Sequence, residues 1–210
     1  MNKRSFLSLE LALLFFLIPV ILFLEVLPII KIGSLLIAIT YVLVTSIKNK
    51  LIPLKLLLSF TLKKEKKTLL LSSIIVLSSS LIFMSLWHPE DLFIVVKKKP
   101  TLWVIILFVY AFLSVLPQEL LYRSYFFNRY KDLFKNEKHL VIINIIVFPL
   151  AHLFLKNWLV LLVTLIGGVF FALTYKRSKS LLITSLEHAI YGNWLFTIGM
   201  GEMLAFPMPH

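Results

Sequence analysis

The chain contains no cysteine, which excludes disulfides and thiolate metal sites. Charge is scarce too: 15% of residues are Asp, Glu, Lys or Arg, against about 25% in soluble proteins. No internal repeat, low-complexity tract or domain-sized polar segment interrupts the sequence. The apolar run after "MNKRS" lacks a small-x-small cleavage site and is followed by further runs, so a retained helix is expected rather than a cleaved signal. Hydrocarbon is what remains. Of 210 residues 60% are hydrophobic, and the mean hydropathy is +0.94.

A bilayer crossing takes roughly 20 apolar residues. Runs near 6–28, 31–47, 68–87, 101–122, 139–155, 158–175 and 180–200 predict an all-α polytopic membrane bundle of about seven transmembrane helices. The 22 basic residues outnumber the 10 acidic ones, giving +12, yet they sit between apolar runs instead of on a soluble face. That placement argues against a nucleic-acid partner and for cationic loops beside anionic lipid. A cytoplasmic N-terminus puts 17 of the 22 on one side, so the positive-inside rule predicts N-in with the C-terminus opposite. The stretch "KNKLIPLKLLLSFTLKKEKK" is expected to lie as an amphipathic helix in the cytoplasmic interface.

Polar groups inside apolar runs are costly, of order 2.5–3.5 kcal/mol for a central Asp, Lys or Arg on insertion scales. Three segments carry them: "PQELLYR" with Gln118, Glu119 and Arg123, "FPLAH" with His152, and "EHAIYGN" with Glu187, His188 and Asn193. At ~1.5 Å per residue, Glu119, His152 and His188 lie roughly 15, 20 and 12 Å from the basic boundaries, a similar depth that predicts one shared site opening to the cytoplasm. Pro117 and Pro149 each remove a helical hydrogen bond beside a polar group, which membranes tolerate where backbone faces protein or a wet cavity. Plainer readings stand beside this one. Glu119 and Arg123, four apart, neutralise each other as an ion pair, and a histidine in a span bonds a neighbouring helix. Glu10 and Glu25 read as interfacial residues. His88, Glu90 and Asp91 read as an outer loop, and His139 and His210 as end residues.

The segments "QELLYR", "FPLAH" and "HAIYGN" occur in the order E-E-x-x-x-R, F-x-x-x-H, H-x-x-x-N. In this the chain resembles the CPBP family of CAAX proteases and bacteriocin-processing (Abi) enzymes, all-helical intramembrane endopeptidases. The resemblance covers roughly residues 101–200, which it marks as the catalytic core; 1–100 would then be N-terminal transmembrane helices with the basic connection. It implies a membrane-associated or hydrophobic peptide as substrate and the plasma (inner) membrane of a bacterial cell. It also implies that Glu119 and His152 activate water while His188 and Asn193 stabilise the oxyanion, roles that match general-base and oxyanion chemistry. No cofactor is expected, although Glu119, His152 and His188 are residue types that bind zinc.

Two departures from the pattern stand out. Gln118 replaces the first glutamate, and an amide orients water without taking its proton. Asn193 follows His188 by five residues, with Gly192 at the fourth, about 140° round a regular helix unless a π-bulge restores the face. Three functions therefore compete. An intramembrane endopeptidase comes first, and a non-catalytic relative serving as a peptide-binding, immunity or scaffold protein comes second. A transporter is weakest, because no inverted repeat is visible and the outer half is apolar.

Overall fold

The computed structural model of the chain describes residues 2–51, 62–204 and 206. The middle of the expected amphipathic connection, 52–61, and His210 lie outside them. Every regular element among the described residues is a helix. The long ones are α1 (Lys3–Phe23), α2 (Pro28–Lys48), α3 (Leu62–Trp87), α4 (Pro100–Tyr130), α5 (Glu137–Leu150), α6 (Trp158–Ser178) and α7 (Leu181–Thr197). The protein is an all-α integral membrane bundle.

Six of these helices are long and apolar enough to cross a membrane, α5 with the short 3-10 turn Leu153–Leu155 that follows it. The seventh expected crossing differs. Helix α7 has 17 residues, about 25 Å at 1.5 Å per residue, short of the ~30 Å hydrocarbon core. Its neighbours are α3, α4 and α6, so its faces meet protein more than lipid. Boundaries shifted for identifiable reasons. Pro28 starts α2, its missing N–H being harmless at a first helical position, so α1 ends at Phe23 instead of 28. The fourth span was expected to stop before Arg123, but that side chain is wholly buried and α4 runs on to Tyr130.

Helix α4 is not uniform. Pro117 lies between two π-helical stretches, Tyr110–Val115 and Leu120–Tyr125. Proline supplies no N–H and its ring crowds the preceding turn, strain that wider turns accommodate. In α5, Pro149 likewise leaves the Ile145 carbonyl without its helical donor. Gly168 of α6 sits against that spot, where a Cβ would lie 3.4 Å from the carbonyl oxygen and 3.3 Å from the Phe148 ring. The absent side chain lets the α5–α6 hairpin close tightly behind the site.

The bundle has two distinct ends. At one, Lys3 pairs with Asp132, Lys179 with Glu137 and Arg177 with Glu65. At the other, Lys156 and Glu25 meet at 2.7 Å between the α5–α6 and α1–α2 connections. The exposed Glu25 fits an interfacial role. Glu10 does not: it is buried, and Arg129, Tyr41, Tyr125 and Tyr130 all donate to its carboxylate. A carboxylate on the first helix was expected at the lipid interface because its partners lie more than 30 positions away in sequence, at 31 to 120 residues.

Candidate active site

Burial decides what each polar residue can do. Glu119 and Arg123 are both 0% exposed. Arg123 Nε lies 3.3 Å from Glu119 Oε2, close enough for ion pairing though not aligned as a hydrogen bond. The guanidinium also donates from Nη1 to Asn144 Oδ1 at 2.6 Å and stacks over Phe148, 4.8 Å from its ring centre. Asn144 in turn donates to the Tyr122 carbonyl, which sits in the second π-helical stretch of α4. A buried charge stands only when paired and bonded, and here the helix irregularity supplies part of the bonding.

The other oxygen of Glu119 faces α7. His188 Nδ1 is 2.8 Å from Glu119 Oε1. A carboxylate accepts only, so Nδ1 carries a proton, and in the neutral ring Nε2 is then an acceptor. That Nε2 lies 3.2 Å from the Tyr110 hydroxyl. The imidazole is stacked on Phe171, ring centres 4.4 Å apart and planes 20° off parallel. His188 is thus fixed on both nitrogens and one face.

His152 lies just past the end of α5, beyond Pro149. Its Nδ1 is 3.1 Å from the Phe148 carbonyl. The same logic places the proton on Nδ1 and leaves Nε2 a lone pair. Phe148 separates the two imidazoles, with ring centres 5.3 Å from His152 and 5.7 Å from His188. Gln118 donates from Nε2 to Ser114 Oγ at 2.8 Å, while its Oε1 is buried without a hydrogen-bond partner among the described residues.

These groups meet at a cavity of about 1010 Å³. Gln118, His152, His188, Tyr110 and Ser114 form a polar patch on walls that are otherwise mainly apolar, contributed by all seven helices. Glu119 and Asn193 are not among its lining residues. The lining includes Lys31, Phe154, Leu159 and Met200, at the end of the bundle that carries the Lys156–Glu25 pair. The lining also includes Ser46, so the cavity extends along α2 from Lys31 toward the end near the basic boundaries.

The expected trio is therefore divided. Glu119 and His188 are bonded to each other, and His152 and His188 line one cavity. As zinc ligands Glu119, His152 and His188 would aim three donor atoms at one point; Glu119 Oε1 and His188 Nδ1 instead face each other across a hydrogen bond. Asn193 donates to the Leu107 carbonyl at 3.3 Å, with its Oδ1 buried and unbonded. No π-bulge occurs at Gly192, because α7 is α-helical from Leu181 to Thr197. The π turns are in α4. Sequence reading passed over Tyr110, Ser114 and Asn144. The gap at Gly192, one turn beyond His188, was the available sign of the first.

Neither any curated protein nor any solved structure significantly matches the chain. A family model described as type II CAAX prenyl endopeptidase Rce1-like does match, over residues 100–194. That stretch spans α4 to α7 and holds every polar side chain of the cavity patch, so residues 100–194 match the Rce1-like model of the CAAX-protease (CPBP) family.

Proposed function

We propose that the protein is an intramembrane endopeptidase that hydrolyses a peptide bond in a membrane-associated or hydrophobic peptide. The observation that carries this is that Gln118, His152 and His188 line one cavity whose other walls are mainly apolar. An apolar cavity admits a greasy segment, and the patch supplies hydrolytic chemistry at one point along it. The peptide enters from the end marked by Lys31, and the basic loops at the other end rest on anionic lipid at the cytoplasmic face.

In this reading a water bonds to His152 Nε2 in the cavity that Gln118 also lines. Its oxygen attacks the peptide carbonyl as its proton passes to Nε2. The tetrahedral intermediate collapses, the C–N bond breaks, and the same proton returns to the leaving nitrogen. Products are one carboxylate and one amine. No cofactor is required by this scheme. Glu119, given the water-activating role by the family pattern, here holds His188 in its tautomer, and Arg123 holds Glu119.

One observation favours a second reading. No aspartate or glutamate is among the described residues that line the cavity. A relative that binds the peptide without cutting it, as a scaffold or immunity protein, would need none. Purified protein in lipid nanodiscs, given a fluorogenic hydrophobic peptide, separates the two. Cleavage by the wild type that falls about 10²–10⁴-fold in His152→Ala supports the enzyme. A wild type that binds but never cleaves, with Gln118→Glu active, supports the second.

A further inference from the structure

The endopeptidase reading needs a donor for the oxygen that becomes negative, and the residues expected to supply it do not. Asn193 is turned to the Leu107 carbonyl and is absent from the cavity wall. His188 in its neutral form has its proton on Nδ1, committed to Glu119, and shows the cavity only an acceptor.

Gly192 explains what stands there instead. It follows His188 by four residues on a regular helix, so it shares that residue's face. A Cβ built on Gly192 would lie 2.2 Å from both the Cε1 and the hydroxyl of Tyr110. No side chain fits beside that ring. The tyrosine ring occupies the slot one turn past His188, delivered from α4, where the first π-helical stretch begins at Tyr110. Phe196 holds the ring edge-on, centres 4.9 Å apart. The hydroxyl therefore has a fixed position 3.2 Å from His188 Nε2, and Tyr110 is one of the residues that line the cavity.

We propose that Tyr110 is a catalytic residue of this chain, its hydroxyl being the hydrogen-bond donor that stabilises the oxyanion. The proposal rests on the endopeptidase reading above. With the His188 ring neutral and its proton on Nδ1, the O–H bond at rest points to Nε2. Rotation about the Cζ–O bond alone redirects it to a carbonyl oxygen bound in the cavity, with no movement of the ring. No proton is transferred from Tyr110. The hydrogen bond strengthens as charge develops on the oxygen, which is how preorganised donors lower a barrier. Gly192 is the complementary half of the device, because any larger residue there evicts the tyrosine.

The test is steady-state cleavage of the fluorogenic peptide in nanodiscs. Tyr110→Phe keeps the ring against Gly192 and Phe196 and removes only the hydroxyl. We expect kcat to fall about 10²–10³-fold, the size of a lost oxyanion donor, with KM and melting temperature nearly unchanged. Gly192→Asn alone is expected to lose both fold and activity. Combined with Tyr110→Ala, which vacates the slot, the same asparagine is expected to recover cleavage at least tenfold over Tyr110→Ala alone, by placing an amide donor there. Tyr110→Phe with wild-type kcat would overturn the proposal and leave the endopeptidase reading standing. So would a loss in Tyr110→Phe confined to KM. A wild type that binds the peptide, as read by fluorescence anisotropy, but cleaves nothing would overturn both.

Discussion

Helices α2 and α7 show how differently one bundle uses apolar sequence. Helix α2 has 21 residues and buries only Thr45 and Ser46, while Ile29, Ile37 and Ile47 are each more than 70% exposed. Helix α7 has 17 residues and buries nine, among them Glu187 and His188. The first is solvated by lipid on most of its circumference. The second is solvated by protein. Only where protein replaces lipid can a charge be paired on several sides, so the ionisable groups gather among α4, α5 and α7. Helix α1 belongs with this group despite its place in the sequence, since its Glu10 is bound by the α4 residues Tyr125, Arg129 and Tyr130.

The strongest way to break the contrast is to remove a buried charge. Arg123→Ala leaves Glu119 buried without its cation, beside Asn144 and Tyr122 groups that have lost a partner. A loss of about 3–5 kcal/mol is expected, seen as a large drop in melting temperature by fluorescence-detected unfolding in detergent. Glu10→Gln is milder. The amide keeps the shape but gives up the charge that Arg129 faces, for an expected cost of about 1–3 kcal/mol in the same assay. Because α1 is tied to α4 there, that variant should also expose the α1–α4 contact to protease before the rest of the bundle. The smallest effect belongs to α2: Ile37→Ala, on a face that meets lipid, should change stability by less than about 0.5 kcal/mol. A larger effect there would mean that another protein covers α2.

Much was legible in advance. Long uncharged runs identified the helices, and three short motifs identified the segments that carry chemistry. What those motifs left open was direction. Glu119 was read as the water-activating acid, but its helix face turns from the cavity and toward His188. Asn193 was read with His188, but the helix stays regular and its amide reaches Leu107. In both cases a one-residue step is about 100° of helix rotation, enough to move a side chain from cavity to core.

Composition and periodicity alone determined that this protein lives in a membrane as helices, because hydrocarbon forces every backbone polar group to be satisfied within its own segment. Residue types at spaced positions determined which segments are exceptional, because a charge in that medium demands a partner. Who the partner is was decided only by the fold. Glu10 finds Tyr130 at 120 residues' separation, and Tyr110 reaches His188 at 78. No local pattern encodes such pairs. They arise from how helices rotate and pack, and the π-helical turns around Pro117 change the rotation of α4 along its length.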